Sequence, residues 1–316
     1  MPAIKQETVR RFSVKCGKLV DAFAKKLESQ QPPPIIYHYT DDRGLRGILE
    51  SGAIHLHDIF GLNDPSELSY GFSISAGILI DKARTHPGEI RKFAERYANF
   101  GLQRGIEASA HFFSCSFSGC GDDLGQWRAY ADNGHGFAIG FETKILEAAF
   151  TTEGGQRVEN NCTFPVSYKA ERLRKMYEKM ADRTLDILSG LYGRKSGHHA
   201  EEYENELDVA LTVQALHAAV YFKHKAYKNE SEYRFLQIYR GDLPSPEVAW
   251  KQRPYSLARY RQFRWRESAA ATLKEIVVGP AADHDRAGKF AVDCLRAFHS
   301  GAVRIRRSEI PYRAPH

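Results

Sequence analysis

A central segment of the chain reads His111-Phe112-Phe113-Ser114-Cys115-Ser116-Phe117-Ser118. Its residues alternate in character, so a β-strand would place Phe113, Cys115 and Phe117 on one side and the three serines on the other. The apolar side predicts packing on a core. The serine side leaves room for a ligand to lie close to the backbone, and it fits a partly exposed strand face equally well.

The segments around this strand show strand and helix patterns in mixed order. Short β-rich or apolar runs predict strands at residues 35–39, 53–56, 136–141, 232–239, 276–280 and 302–305. Apolar spacing predicts helices at residues 66–83, 88–101, 122–131 and 283–298. Thr40-Asp41-Asp42 supplies capping residues for the start of one further helix, and Gly52 is placed to end it. This order predicts an α+β fold.

Two helical regions stand apart from this pattern. Residues 8–29 predict a basic amphipathic helix, which three consecutive prolines end at 32–34. The helix is expected to dock on the chain's own body. We therefore divide the chain into residues 1–31, a helix with a Pro-rich linker, and residues 32–316, a single α+β domain. A helical hairpin at about 169–227 is expected as an insertion in that domain.

Composition and charge narrow the class of protein. The chain has 316 residues and a formal net charge of +6, with +4 in residues 1–30 and +8 in residues 251–316. Basic ends favour an anionic partner, although two solvated basic faces explain them as well. No apolar run approaches the ~20 residues of a membrane span. Five cysteines without disulfide or zinc spacing indicate a reduced, cytoplasmic protein.

Two carboxylates and a histidine are the first candidates for chemistry. On a strand, Glu230 and Glu232 would share one face roughly 7 Å apart. Carboxylates at that distance are costly unless water separates them, cations pair with them, or the site uses them. Arg234 on the same face offers a structural salt bridge to Glu232. His38 could bond a ribose hydroxyl or transfer a proton, or be a structural histidine.

Aromatic and basic residues provide further candidates. Trp127 and Tyr130 would share a helix face beside Arg128, so they either stack on a ligand ring or pack in the core. Residues 254–267 interleave arginines with rings, which is typical of contacts to single-stranded nucleic acid but fits an amphipathic edge strand better. The candidate nucleic-acid contacts are Arg259, Arg261, Arg264 and Arg266.

A metal site is the weakest candidate. His55 and His57 share a strand face, and Asp64 follows, but Asn63-Asp64-Pro65 fits a turn better than a ligand set. No metal is therefore expected, and a metal-dependent nuclease built on these three residues stays as a third interpretation. The chain also lacks a Walker A loop, a Rossmann fingerprint and a Gly-x-Ser-x-Gly motif.

Several motifs in chain order resemble the bacterial family catalogued as domain of unknown function 2971, over about residues 35–310. The name of that family implies no activity. The motifs are Tyr37-His38-Tyr39, Leu62-Asn63-Asp64-Pro65-Ser66-Glu67, Ser114-Cys115-Ser116-Phe117-Ser118, Gln126-Trp127-x-x-Tyr130-Ala131, Gly136-Phe137-x-x-Gly140-Phe141 and Lys225-x-x-x-x-Glu230-x-Glu232-Tyr233-Arg234.

A more distant resemblance is to the ADP-ribosyltransferases. That superfamily has a strand with His or Arg, then a Ser-x-Ser strand, then a Glu-x-Glu strand. His38, Ser114-Cys115-Ser116 and Glu230-Ser231-Glu232 follow this order. The resemblance implies a split β-sheet core, here with the helical hairpin inserted, and NAD as a substrate.

The same resemblance implies roles for individual residues. Glu232 would stabilise an oxocarbenium-like cation, and Glu230 would orient or deprotonate the acceptor. His38 would hold the adenosine-side ribose. The residues implied in binding NAD are His38, Tyr39, Ser114, Ser116, Trp127, Arg128 and Tyr130.

The sequence therefore predicts ADP-ribosyl transfer from NAD to a macromolecule, or NAD hydrolysis, by a bacterial toxin, effector or defence protein. The alternative is a non-catalytic module that binds nucleic acid or protein. In that alternative the acidic pair at Glu230 and Glu232 is structural.

Overall fold

The computed structural model describes residues 2–59, 66–108, 111–153, 156–193, 200–239, 247–253 and 255–312. The chain divides into two compact units. The helical unit comprises Met1–Ser29, Asn63–Ala110 and Ser167–Ala226, and the sheet unit comprises Gln30–Leu62, His111–Val166 and Tyr227–His316. The single domain expected over residues 32–316 stays a prediction.

The described elements are as follows. The helices are α1 (Pro2–Glu28), α2 (Asp42–Ser51), α3 (Ser66–Ala83), α4 (Gly88–Ala108), α5 (Leu124–Tyr130), α6 (Thr143–Thr151), α7 (Ala170–Tyr192), α8 (Ala200–Ala219), α9 (Trp265–Ala269) and α10 (His284–Phe298). The strands are β1 (Ile35–Thr40), β2 (Ile54–Asp58), β3 (His111–Ser118), β4 (Phe137–Glu142), β5 (Thr152–Glu153), β6 (Gln156–Arg157), β7 (Asn161–Pro165), β8 (Glu232–Tyr239), β9 (Ala249–Arg253), β10 (Ser256–Phe263), β11 (Leu273–Val278) and β12 (Arg304–Arg307).

These elements confirm the predicted α+β class. Both β3 and β8 have the predicted bounds, and so does α3. The helical hairpin predicted at about 169–227 extends too far, because α8 ends at Ala219 and a 3-10 helix occupies Lys225–Glu230. The elements that were not predicted are α6, α9, β5, β6, β7 and β9.

The start and end of α2 follow from its flanking residues. The Asp41 carboxylate accepts a hydrogen bond from the Gly44 N–H at 2.7 Å, which satisfies one of the unpaired donors of the first turn. Gly52 ends the helix in the left-handed region with φ 64°. A residue without Cβ adopts that conformation at no steric cost.

Within the helical unit, α1 packs against α8 and α7. Phe12, Cys16, Val20 and Leu27 form its buried side. The Arg183 guanidinium of α7 also donates to the Lys15 carbonyl at 3.1 Å. The helix thus docks on its own chain, as expected. The predicted hairpin of α7 and α8 packs with α3 and α4 in the same unit.

The sheet unit contains a large, mostly antiparallel sheet. Its strands pair in the order β12-β11-β4-β1-β3-β2-β10-β9, and β8 pairs with both β3 and β7. Only β11 and β12 are parallel among the described pairs. A strand, β10, lies within residues 254–267. The prediction that it is an edge strand is wrong, because β10 pairs with β2 on one side and β9 on the other.

Both faces of this sheet pack against helices. One face, here called the core face, includes Phe113, Cys115 and Phe117. It packs against Leu45 and Leu49 of α2, Leu146 and Phe150 of α6, and Ala291 and Cys294 of α10. On the opposite face, Trp127 of α5 packs in a smaller cluster with Tyr39, Ala131, Ala138 and Val277.

Among the described helices, none combines the length and apolar character needed to cross a membrane.

Close backbone contact at Gly136 gives a testable consequence. A Cβ at this position would collide with the Thr40 carbonyl oxygen, which belongs to the adjoining strand. We expect Gly136→Ala to lower the free energy of unfolding by about 1–3 kcal/mol, because backbone must move to accept the methyl group. Urea denaturation measures the change.

Gly47→Ala provides the matched control. A Cβ at Gly47 meets nothing within 4 Å, and the residue lies inside α2. Alanine there should raise the free energy of unfolding by roughly 0.5–1 kcal/mol, since it restricts the unfolded chain and favours helix. Equal effects of the two substitutions would contradict this account of Gly136.

Candidate functional site

Strands β3 and β8 place the predicted serines and glutamate on one face. Ser118 lies opposite Glu232, and Ser116 lies opposite Arg234 in the antiparallel register. Residues directly opposite each other point to the same side of a sheet. We call this side, which includes Ser114, Ser116 and Ser118, the serine face. The predicted alternation of β3 is confirmed, since Phe113, Cys115 and Phe117 lie on the core face.

A compact polar cluster forms on the serine face. The Ser116 hydroxyl donates to Glu232 Oε1 at 2.6 Å. Arg234 donates to the same oxygen from Nε at 2.8 Å and from Nη2 at 2.7 Å. The Arg234 and Glu232 side chains are 5% and 3% exposed. Three donors therefore converge on one carboxylate oxygen, which fixes the orientation of that carboxylate.

Glu230 lies off the strand, contrary to the sequence prediction. It ends the 3-10 helix, and Ser231 follows with a left-handed φ of 45° before β8 begins at Glu232. The two glutamates therefore do not share a strand face. Two contacts nevertheless place Glu230 beside the serine face. The Ser118 hydroxyl donates to its carbonyl at 2.8 Å, and the Tyr130 hydroxyl lies 3.4 Å from its carboxylate.

His38 lies beside the edge of β3 that faces away from β8, at the point where the neighbouring strand changes from β1 to β2. Along that edge, Ser118 pairs with β1, whereas Phe113 and Ser114 pair with β2. The His38 ring lies between these pairings, with Nδ1 3.3 Å from the Ser116 carbonyl and 3.8 Å from the Cys115 sulfur. The structure thus brings His38 to the backbone of Ser116, not to the hydroxyl that contacts Glu232.

Burial sets the charge state of His38. The half-buried imidazole packs edge-on against Phe117 at 5.7 Å, and burial lowers its pKa despite the hydrogen bond to Ser116. It is therefore neutral at neutral pH. Burial, and then the charge of Glu232, raises the pKa of Cys115. This thiol is therefore protonated and unsuited to act as a nucleophile.

The predicted NAD-binding aromatics occupy different environments. Trp127 is fully buried, its indole N–H donates to Asp122 at 2.7 Å, and its ring packs edge-on against Tyr39 at 4.8 Å. The hydroxyl of Tyr39 donates to the Cys120 carbonyl at 2.9 Å. These contacts give both rings the core-packing role that was the alternative for Trp127. Tyr130 is 50% exposed.

Two polar residues of the predicted NAD-binding set remain. Arg128 on α5 is exposed. Ser114 is buried on the serine face, opposite Leu236 and His57. Both stay candidates from the sequence.

Most of the predicted nucleic-acid arginines have structural partners. Arg259 lies 2.5 Å from the buried carboxylate of Asp58, and Arg261 lies 2.5 Å from Glu247. Arg266 donates to the carbonyls of Leu49, Glu50 and Phe298 at 2.6–3.0 Å, at the C-terminal ends of α2 and α10. Arg264 is exposed, 3.8 Å from Glu267. These partners favour the structural interpretation of this segment.

The histidines of the metal hypothesis lie together without forming a ligand set. His55 stacks on Tyr260 at 4.1 Å, and His57 lies 6.3 Å from the same ring. Asp64 lies outside the described residues, as do Leu62, Asn63 and Pro65 of that motif. Within the described ranges, no group of three or more His, Cys, Asp or Glu residues could hold a metal ion.

Sequence reasoning missed Asp122. Its carboxylate accepts from the Trp127 indole, from the Ser308 hydroxyl at 2.6 Å and from the Glu309 backbone N–H at 2.8 Å. It therefore ties α5, and with it Tyr130, to the C-terminal segment. One signal in the sequence was the pair Asp122-Asp123 before α5. Because Asp123 caps that helix, the pair gave no reason to expect a separate role for Asp122.

The fold and the cluster define an α+β protein with a carboxylate, a guanidinium and a hydroxyl joined on one face of an antiparallel sheet. Residues 126–235 match the sequence model of a family described as "Protein of unknown function (DUF2971)". This match supports the family resemblance over that part of the chain, which runs from within α5 to the beginning of β8. No curated protein and no solved structure matches the chain.

Removal of one partner of the buried ion pair should be costly. We expect Arg234→Met to lower the free energy of unfolding by about 3–5 kcal/mol, because it leaves the Glu232 charge buried without this guanidinium. Adding Glu232→Gln should recover part of that loss by removing the stranded charge. Urea denaturation of the single and double variants tests both statements.

Arg46→Met is the matched control for that experiment. Arg46 pairs with Glu50 at 3.2 Å on the surface, with both side chains at least half exposed. Its removal should change the free energy of unfolding by less than about 1 kcal/mol. If Arg234→Met lowers the free energy of unfolding as little as Arg46→Met does, the ion pair between Arg234 and Glu232 is not a strong buried interaction.

The lowered pKa of His38 predicts a loss of stability in acid. The unfolded chain takes up a proton near pH 6.5, whereas the folded chain resists it, so stability present above that pH is lost as pH falls toward the folded pKa. His38→Gln should make the decline shallower by up to ~1.4 kcal/mol per pH unit. Urea denaturation at several pH values measures the slope.

The pKa values of His55, His111 and His299 are also lowered by burial, so part of the decline should persist in His38→Gln. An unaltered slope in His38→Gln would show that this imidazole protonates equally in both states.

Proposed function

We propose that this protein cleaves the bond between nicotinamide and ribose in NAD and passes ADP-ribose to a macromolecule or to water. One observation carries the proposal. The Ser116 hydroxyl meets the Glu232 carboxylate at 2.6 Å, with Glu230 at the turn that leads into the same strand. The chain order of His38, the serines and the glutamates adds the resemblance to ADP-ribosyltransferases.

Cleavage of the bond between nicotinamide and ribose is helped by a carboxylate in a fixed orientation. When the C1′–N bond breaks, its electron pair leaves with nicotinamide, and the ribose gains oxocarbenium character. An oriented negative charge stabilises that cation better than water, which would have to reorganise. Glu232 suits this role, because Ser116 and Arg234 hold its carboxylate in one direction.

A second carboxylate would deprotonate the acceptor. As an acceptor oxygen or nitrogen bonds to C1′, it must lose a proton, and Glu230 would take it. Glu230 is half-buried and lies 3.4 Å from the Tyr130 hydroxyl. The exposed Arg128 would meet the pyrophosphate. His38 has no role in this proposal, because its ring contacts Cys115 and Phe117 on the core face, away from Glu232.

The buried ion pair also supports the alternative function. Arg234 neutralises Glu232, and both side chains are almost completely buried. A pair of this kind suits a structural role in a non-catalytic binding module. In that case Ser116 simply completes the hydrogen bonding of a salt bridge. The two functions differ in whether NAD is consumed.

The experiment follows nicotinamide release from NAD by the full chain and its Ser116→Ala variant. Ser116 is exposed, so its loss should affect the orientation of Glu232 more than the fold. We expect kcat/KM to fall about tenfold or more, because a misdirected catalytic group costs at least that much. Glu232→Gln should abolish release.

Ser73→Ala is the matched control, since Ser73 is another exposed serine, and its hydroxyl donates to the Tyr70 carbonyl within α3. It should retain most of the activity. A melting temperature for each variant separates lost chemistry from lost folding. Absence of release by the unaltered chain, together with absence of NAD binding in calorimetry, would overturn the enzymatic proposal and favour the binding module.

A further inference from the structure

The outer side of helix α1 is densely cationic. Ten residues between Gln6 and Glu28 are exposed, of which six are basic and only Asp21 is acidic. The six basic residues are Arg10, Arg11, Lys15, Lys18, Lys25 and Lys26. None of them belongs to the cluster around Glu232, so the proposed function leaves this surface unexplained.

Helical geometry places most of these cations on one side. At 3.6 residues per turn, positions 11, 15, 18, 25 and 26 fall within roughly 100° of the helix circumference. We call these five residues the cationic row, which extends over roughly 22 Å of α1 at a rise of 1.5 Å per residue. The opposite side of α1 is apolar and packs against α7 and α8, with Phe12, Cys16, Val20 and Leu27 buried.

The stability of the helix explains only the end of this row. Lys25 and Lys26 lie in the last turn, where cations interact favourably with the helix dipole. Arg11, Lys15 and Lys18 lie four and three residues apart in the middle of the helix, and like charges at those spacings destabilise it. The charges in the middle of the row therefore act against the helix that carries them.

Neighbouring groups do not neutralise the middle of the row. Glu7 contacts Arg11 at 2.9 Å on the surface. Within the described ranges, no carboxylate forms an ion pair with Lys15 or Lys18. Helix α7 instead adds a cation, because Arg183 donates to the Lys15 carbonyl at 3.1 Å. This positive charge is available to an anionic partner.

We propose that the cationic row binds the phosphate backbone of double-stranded nucleic acid. A duplex carries one negative charge per ~1.7 Å of its axis, so a row of this length meets several phosphates. Lysines and arginines that contact phosphates need no apolar or aromatic neighbours, and they position a duplex without reading its bases. The outer side of α1 offers charge of this kind and little else.

Other anionic partners fit this surface less well. A protein interface is enriched in aromatic residues and depleted of lysine, whereas the largest exposed apolar side chain of α1 is Val14. A single strand stacks its bases on rings, and the ten exposed residues of α1 include none. An amphipathic helix inserts its apolar side into a bilayer, but that side of α1 is buried against α7 and α8.

Fluorescence anisotropy of a labelled DNA duplex, titrated with the full chain at several salt concentrations, tests the proposal. We expect duplexes of unrelated sequence to bind with similar affinity, which falls as salt rises. Combining Lys15→Ser, Lys18→Ser and Lys25→Ser should weaken binding about tenfold or more. It should also reduce the slope of log K against log salt by about 2–3, since each phosphate contact contributes about one unit.

A second triple variant is the charge-matched control. Lys92→Ser, Lys144→Ser and Lys289→Ser remove three exposed lysines from α4, α6 and α10, and thus the same net charge. This variant should keep nearly the affinity and the salt slope of the unaltered chain. Melting temperatures check that both variants fold.

Three results would overturn the proposal. The first is failure to bind duplex at low salt. The second is an equal loss of affinity in the two triple variants, which would show that net charge alone matters. The third is tighter binding to a single strand, or to phosphatidylserine vesicles, than to duplex. None of these measurements uses NAD, so the outcome is independent of the proposed function.

Discussion

The register between β3 and β8 is the constraint on which the candidate site depends. Eight consecutive residue pairs join the two strands, from His111 with Tyr239 to Ser118 with Glu232. A slip of one residue would exchange the two faces of a strand, because side chains alternate with a period of two. Glu232 and Arg234 would then enter the phenylalanine core, where charges are very costly. Packing on one face and ion pairing on the other therefore select the same register.

The polar cluster needs an explanation beyond stability. A buried ion pair loses the hydration of both charges, and apolar residues of similar size often stabilise a fold as well or better. Glu232 and Arg234 could thus be replaced at small cost in folding. What such a replacement would remove is a carboxylate held by three donors on one oxygen. That oriented charge is a property that catalysis can use and packing cannot supply.

Local sequence signals predicted the parts of the fold that local physics controls. The capping residues Thr40-Asp41-Asp42 and the glycine Gly52 predicted α2, and the alternation of β3 assigned its two faces correctly. Arg234 as the partner of Glu232 was also within reach, because the two lie two apart on one strand. Long-range partners could not be predicted. Nothing near Arg266 in the chain indicates that its guanidinium donates to carbonyls at the ends of α2 and α10. The burial of Trp127 likewise depends on Tyr39 and Asp122, which the fold brings to it.

The error at Glu230 concerns a single backbone conformation, and it bears on the chemistry. A regular strand through Ser231 would have placed both glutamates on one face, where their charges repel. The left-handed Ser231, which costs roughly 1–2 kcal/mol for a residue with a Cβ, is held by a hydrogen bond from Gly119 to its carbonyl at 2.9 Å. The turn sends Glu230 toward Tyr130 and leaves Glu232 buried with Arg234. Two carboxylates in such different surroundings can hold different roles, one as a fixed charge and the other as a base.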